Sequence, residues 1–322
     1  MKNSFRRTVA ATLAALALAG AGATACGEAG SSDPATLTVG FVVDPSWAQI
    51  PVADRLGLFG EHNVKVEVIN FPSGVEALQA VAAGQVDLAT AADVPTSAVL
   101  TRSPSLRIVG DGSRWQGSRI VARRSAGIND VADLAGKSVG TPLGTSAAYF
   151  AANTLAHNNI AANLVQVAPS AMVTAATQRD VDAVSIFQPY QAQVVAALGT
   201  DAVELSGGSY NQHSLYLATN DALTRKADAV TSFFAALSDA GEQLKSLTDP
   251  AVEAVSAATQ LRPDLLRTVL PQFDFTLQLP PALPGKLDEL ARWAESQGKI
   301  KAGTPLPDYA TLIDNRFVPV SK

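Results

Sequence analysis

Residues 64–95 read VKVEVINFPSGVEALQAVAAGQVDLATAADVP, and this stretch decides the fold. Val64 to Phe71 alternates apolar and polar residues, the period-2 signature of a strand. Pro72-Ser73-Gly74 breaks it. From Gly74 to Ala83 the apolar positions Val75, Leu78, Val81 and Ala82 fall at helical spacing. Val86 to Ala89 is short and apolar enough for a buried strand, and a second helix starts near Pro95. Strand, helix, strand, helix with short connections implies a mostly parallel sheet covered by helices.

The same rhythm extends both ways. Upstream, Leu37 to Val42 reads as a strand and Pro51 to Phe59 as a helix; downstream, Leu106–Val109 and Ile120–Ala122 read as strands. The pattern then restarts. Ser138–Thr141, Leu164–Val167, Ala183–Phe187 and Val203–Leu205 are expected strands, with helices over Ser146–Leu155, Ala171–Gln178 and Tyr190–Leu198 between them. After a strand at Leu215–Ala218 the chain turns helical: Ala222–Leu247, Pro250–Gln260, Pro263–Leu270 and Leu283–Gln297. Two α/β units and a helix-rich tail predict two lobes. Residues 36–119 plus 218–322 form the first and residues 120–217 the second, joined by crossing strands near Ser118–Arg123 and Ser214–Thr219.

The start of the chain has a different character. Lys2, Arg6 and Arg7 precede an apolar run from Val9 to Ala25, and small residues stand directly before Cys26, the only cysteine. This resembles a bacterial lipoprotein signal: residues 1–25 removed, Cys26 lipidated, residues 26–35 (CGEAGSSDPA) a flexible tether. Two acyl chains would anchor the protein stably without a spanning helix. The alternatives are a plain secretory signal or a retained helix, for which the run is short of the ~20 residues a span needs. A lone cysteine allows no internal disulfide. Residues 1–25 hold three of the 24 basic residues and no acid, leaving 21 basic against 29 acidic residues, a charge of −8. A nucleic-acid partner would call for a basic face, so none is expected. His62, His157 and His213 read as surface or helix-end residues, and their spacing suggests no metal site.

Ligands of open α/β sheets sit beyond the carboxyl ends of the strands. Five strand-to-helix turns therefore matter: Asp44-Pro45-Ser46-Trp47, Pro72-Ser73-Gly74, Ala91-Ala92-Asp93-Val94-Pro95, Pro142-Leu143-Gly144-Thr145-Ser146 and Gln188-Pro189-Tyr190. Their Ser, Thr, Gly and Pro leave backbone N–H groups free to face a ligand, and the helix dipole favours an anion there. Ordinary capping, at ~1 kcal/mol each, accounts for any single turn. Five across two lobes point to a cleft, with Trp47, Trp115, Tyr149, Tyr190 and Tyr210 as candidate lining. Asp93 either pairs with a ligand ammonium or caps its helix. No GxSxG, HExxH, P-loop or GxGxxG motif supports an enzyme, and no cofactor is expected.

Four segments carry a resemblance: FPSGVEALQAVAAGQVDLATAADVP (Phe71–Pro95), INDVADLAGKSVGTPLGTSAAY (Ile128–Tyr149), RDVDAVSIFQPY (Arg179–Tyr190) and WAESQGKIKAGTPLPDYATLIDNRFV (Trp293–Val318). With them the chain resembles the periplasmic solute-binding proteins of ABC importers, in the branch for sulfonates, taurine, nitrate and thiamine-type pyrimidines, nearest its taurine-type members. The resemblance implies an α/β fold of the type II periplasmic-binding-protein kind, with two lobes closing on a small solute and presenting it to a membrane permease. It also implies a monomer, exported and held at the outer face of the cell membrane or in the periplasm. The matching pocket positions are Ser46, Trp47, Ser73, Gly74, Ala92, Asp93, Gly144, Thr145, Ser146, Gln188 and Ser214. Ser214 stands where taurine-type binders place an acid, and Ala148-Tyr149 where sulfonate binders often place a histidine. An aromatic or pyrimidine solute, a surface receptor, or an enzyme on the same fold are the alternative readings.

Overall fold

A computed structural model describes residues 35–318. The signal segment, Cys26 and all of the tether except Ala35 lie outside the described residues. The chain opens with β1 (Thr36–Val42), a 3-10 turn at Pro45–Trp47, α1 (Gln49–Arg55) and α2 (Leu58–Glu61). There follow β2 (Lys65–Phe71), α3 (Gly74–Ala82), β3 (Leu88–Ala92), α4 (Asp93–Leu100) and β4 (Leu106–Trp115). The second lobe runs β5 (Ile120–Arg123), β6 (Ser138–Thr141), α5 (Ser146–His157), β7 (Asn163–Gln166), α6 (Met172–Gln178), β8 (Ala183–Ser185), α7 (Tyr190–Leu198) and β9 (Ala202–Leu205). The chain then returns through β10 (Gln212–Thr219), α8 (Asn220–Arg225), α9 (Ala227–Lys245), α10 (Asp249–Thr259), α11 (Pro263–Val269), β11 (Phe273–Asp274) and α12 (Leu283–Ser296).

The strands form two sheets, ordered β11-β4-β10-β3-β1-β2 and β7-β6-β8-β5-β9. In the first, β1 pairs in parallel with β2 and β3, while β10 runs antiparallel to β3 and β4. The second repeats the scheme: β6 is parallel to β7 and β8, and β5 antiparallel to β8 and β9. Each lobe thus reproduces one strand-order reversal, the point where α/β sheets hold ligands. The chain passes between sheets at residues 116–119 and 206–211. The crossings therefore precede the expected strands: β5 lies wholly in the second sheet and β10 wholly in the first.

Two further differences have physical causes. β4 runs on to Trp115, past the expected end at Val109 and through Gly110-Asp111-Gly112. A Cβ on Gly110 would lie 2.6 Å from Phe234, and one on Gly112 would lie 2.6 Å from Tyr216. The glycines make room for an aromatic cluster in which Tyr216, Phe233 and Phe234 meet edge to face at centroid distances of 5.4–5.9 Å. The register of β4 against β10 shifts at these residues. Gly112→Ala must push a fully buried tyrosine aside and is expected to cost about 1–3 kcal/mol in urea unfolding; an unchanged midpoint would contradict that packing. Secondly, the helix expected over Ala222–Leu247 breaks at Lys226, whose backbone leaves the helical region. Its ammonium is drawn to the Asp87 carboxylate (2.7 Å) and the Thr36 carbonyl (2.9 Å), tying the tail to the start of β1.

Candidate functional site

The turns after β1, β2, β3, β6 and β8 meet in one cleft. The first lobe contributes Val42, Asp44, Trp47, Gly74, Ala92 and Pro95, with Gln212 at the start of β10. The second contributes Thr145, Ser146 and Phe187. The free space between them is about 20 Å³, room for about one water. A larger hollow of about 540 Å³ flanks the first crossing, between Gln116, Arg119, Gln191 and Gln272. Of the strand-end turns only the one after β8, through Gln188, reaches it, so the cleft is the stronger ligand candidate.

Gly74 is tightly constrained. An added Cβ would come within 3.0 Å of Ala91, so glycine lets α3 start hard against β3. At α5 the Thr145 hydroxyl donates to the Pro142 carbonyl (2.7 Å) and makes no cap. The first-turn N–H groups of α5 therefore carry no side-chain partner, a disposition that suits an anion. Asp44 stands across from them, 2 % exposed, with Oδ1 accepting from the Ser46 N–H at 2.7 Å. Burial pushes its carboxyl up to about 7, against the bonds from Ser46, which lower it. Trp47 Nε1 and Gln212 Oε1 are buried without hydrogen-bond partners among the described residues.

The expected site residues divide. Trp47, Gly74, Ala92, Thr145 and Ser146 line the cleft. Ser46 lies just behind it, its carbonyl held by the Ser113 hydroxyl at 2.6 Å. Ser73, the residue before α3, turns its hydroxyl to Glu76 (2.7 Å). Asp93 is fully buried and does not line the cleft: its carboxylate accepts from the Tyr210 hydroxyl, the His213 N–H (3.2 Å) and the Val94 N–H (2.8 Å). Burial raises it to about 6, moderated by His213 and Tyr210. Gly144, at φ +87°, borders a separate hollow beside Lys299 and Trp293. Gln188, just ahead of α7, accepts from the Ala192 N–H (3.2 Å) in that helix and borders the larger hollow. Ser214 is fully buried in β10, its N–H donating to Asp111 at 3.2 Å.

Among the candidate aromatics, Trp47 reaches the cleft, while Trp115 stacks on Phe273 in the first core. Tyr149 and Tyr210 pack edge to face at 5.0 Å, and the Tyr149 hydroxyl donates to Glu289 of α12 at 2.7 Å. Tyr190 meets Phe187 edge to face at 6.1 Å. His213 corrects the expectation for the histidines: it is 13 % exposed in β10, with Nδ1 2.7 Å from Asp111. Burial alone would lower its pKa, but Asp111 and Asp93 carry it above the ordinary value. Asp44 and Gln212 line the cleft without being among the expected pocket positions. Asp44 carried a signal, an acid two residues ahead of Ser46 at a strand end, but Gln212 carried none because β10 shows no alternation before Leu215.

Known proteins share this architecture. The alkanesulfonate-binding protein SsuA of Xanthomonas axonopodis pv. citri, solved bound to MOPS, superposes with a TM-score of 0.74 at 20 % identity, covering 88 % of this chain and 100 % of that one. A candidate binding protein of Brucella abortus (strain 2308) is 27 % identical over 218 residues, 65 % of this chain and 67 % of the relative. A candidate aliphatic sulfonates-binding protein of Escherichia coli (strain K12) is 23 % identical over 247 residues, 75 % of this chain and 77 % of its own length. The family model described as NMT1/THI5-like matches residues 44–248, from the first cleft carboxylate into the helical tail, and the chain belongs to that family.

Proposed function

We infer that this protein captures a small solute between its lobes and delivers it to the membrane permease of an ABC importer, and that the solute carries a sulfonate-type, taurine-like acidic group. One lobe of this receptor holds β1–β4 with β10 through α12, and the other holds β5–β9. Cys26 holds it at the outer face of the cell membrane. The observation that carries the reading is the meeting of five strand-end turns from two sheets in one cleft. The uncapped N-terminus of α5 suits the acidic group, and the relatives named for sulfonate binding support the class. Trp47 and Phe187 in the wall favour a second reading, a flat aromatic or pyrimidine solute.

Thermal unfolding against alkyl and aryl sulfonates, taurine, nitrate and pyrimidines tests both readings. A solute at ~100 times its dissociation constant should add ~2.7 kcal/mol, on the order of 5 °C for a chain of this size. Scattering should show the unliganded lobes opening and the solute drawing them together, a hinge motion. A panel in which no member raises the melting temperature overturns the sulfonate and pyrimidine readings alike.

A further inference from the structure

We propose that Asp44 is the specificity-determining residue of the cleft: with Gln212 it receives a protonated nitrogen of the solute, so that the protein selects a zwitterion over a plain anion. The assignment deepens the sulfonate reading and rests on it.

The cleft has two unlike ends. On the first lobe stand the Asp44 carboxyl and Gln212 Oε1, both acceptors and both at least nine-tenths buried. Ser46 links them: its N–H donates to Asp44, and its Oγ lies 3.4 Å from Gln212 Nε2. That contact turns the amide so that Oε1 is left without a partner. No Lys, Arg or His lines the cleft, and among the described residues Asp44 enters no ion pair. On the second lobe the exposed polarity is the opposite: the uncapped N–H groups at the start of α5, beside Ser146. The partnerless Trp47 Nε1 adds a donor from the first-lobe side of the cleft.

A buried acceptor without a donor is costly, and a carboxylate without a cation more so. A plain sulfonate satisfies only the donors and leaves both acceptors bare, with its charge facing Asp44. An ammonium supplies three N–H donors and a positive charge, and satisfies Asp44 and Gln212 together. Length then sets which zwitterions span from one end to the other.

Calorimetric titration of two matched pairs tests this: 2-aminoethanesulfonate against ethanesulfonate, and 3-aminopropanesulfonate against propanesulfonate. In at least one pair the amine is expected to bind 30-fold or more tightly than its partner. Asp44→Asn should erase that preference while leaving the plain sulfonate unchanged or tighter, and Asp44→Glu should restore part of it. With Tyr190 the titratable group beside Asp44, the amine's affinity should also climb roughly tenfold from pH 6 to pH 8 as the carboxyl ionises. Plain sulfonates binding as tightly as the amines, or amine affinity untouched by Asp44→Asn, would overturn the assignment and leave solute capture standing. If none of the four binds, the sulfonate reading fails, and this assignment with it.

Discussion

Asp44→Asn is expected to make the unliganded protein more stable at pH 8, by about 2–4 kcal/mol, while abolishing its preference for amines. Burial raises the folded-state pKa of Asp44 from 3.8 to about 7. The folded chain therefore holds this proton more tightly than the unfolded chain does. The resulting stability is full below the unfolded pKa, near pH 4, and is lost as the pH rises through about 7. Three pKa units correspond to about 4 kcal/mol, and the asparagine amide, short of partners in the same pocket, returns part of that. Asp93, raised to about 6, adds a second loss with the same sign over the lower half of the window. Urea unfolding should thus show wild-type stability falling from pH 4 to pH 8. The variant should fall less steeply, its advantage shrinking to under about 1 kcal/mol near pH 4. An advantage independent of pH would mean that Asp44 is already ionised and satisfied without a solute. A residue that weakens the empty protein by this much is a substantial fraction of the ~5–15 kcal/mol a folded chain holds in reserve. Ligand binding supplies the compensation, since a cation on Asp44 removes the penalty only in the occupied cleft.

Asp44 and Asp93 also mark how far the sequence alone reaches. Both are acids at the end of a parallel strand, and local sequence treats them alike. Their roles separate only through partners far along the chain: Tyr210 and His213, 117 and 120 residues from Asp93, claim its carboxylate and turn it from the cleft. Asp44 has only Ser46, two residues on. The architecture was easier to read because its signals are local. VKVEVINF alternates through β2, LATAA is fully buried in β3, and Gly74 starts α3 where the strand stops. Reading failed where a long-range contact overrides a local signal. Gly110-Asp111-Gly112 lies past the expected end of β4 yet is strand, its glycines leaving the space that Tyr216 and Phe234 occupy. Lys226 sits within an unbroken helical pattern, yet Asp87 pulls it out. Gln212 reaches the cleft because β10 begins earlier than its apolar run, a consequence of pairing with the equally extended β4.

The carboxylate inside that extension should be the most sensitive single position outside the cleft. Asp111 is fully buried, with Oδ2 2.7 Å from His213 Nδ1 and 3.3 Å from Arg114 Nη1, and Oδ1 accepting from the Ser214 N–H at 3.2 Å. Asp111→Ala is expected to cost about 3–5 kcal/mol, since it takes the buried carboxylate from Arg114 and His213 and leaves the buried Ser214 N–H without an acceptor. Asp111→Asn keeps an acceptor for Ser214 but loses the charge, and should fall between. Arg114 retains Asp274 at 3.0 Å, but that acid is 55 % exposed and offers a weaker, screened partner. The pair also has a pH signature. The folded-state pKa of His213 is raised, so its contribution is full below the unfolded value near 6.5 and is lost as the pH climbs through the folded one. In Asp111→Ala that alkaline loss should shrink, because the bond that raises the imidazole is gone. Unfolding in urea at pH 6 and pH 9 measures both effects. A variant as stable as wild type, or one with an undiminished alkaline loss, would show that Asp111 does not hold this strand pair together. The position bears on function because His213 and Ser214 follow directly on Gln212. Slack in β10 there loosens the acceptor that faces the solute, so Asp111→Asn, if it folds, should bind amines more weakly without touching the cleft.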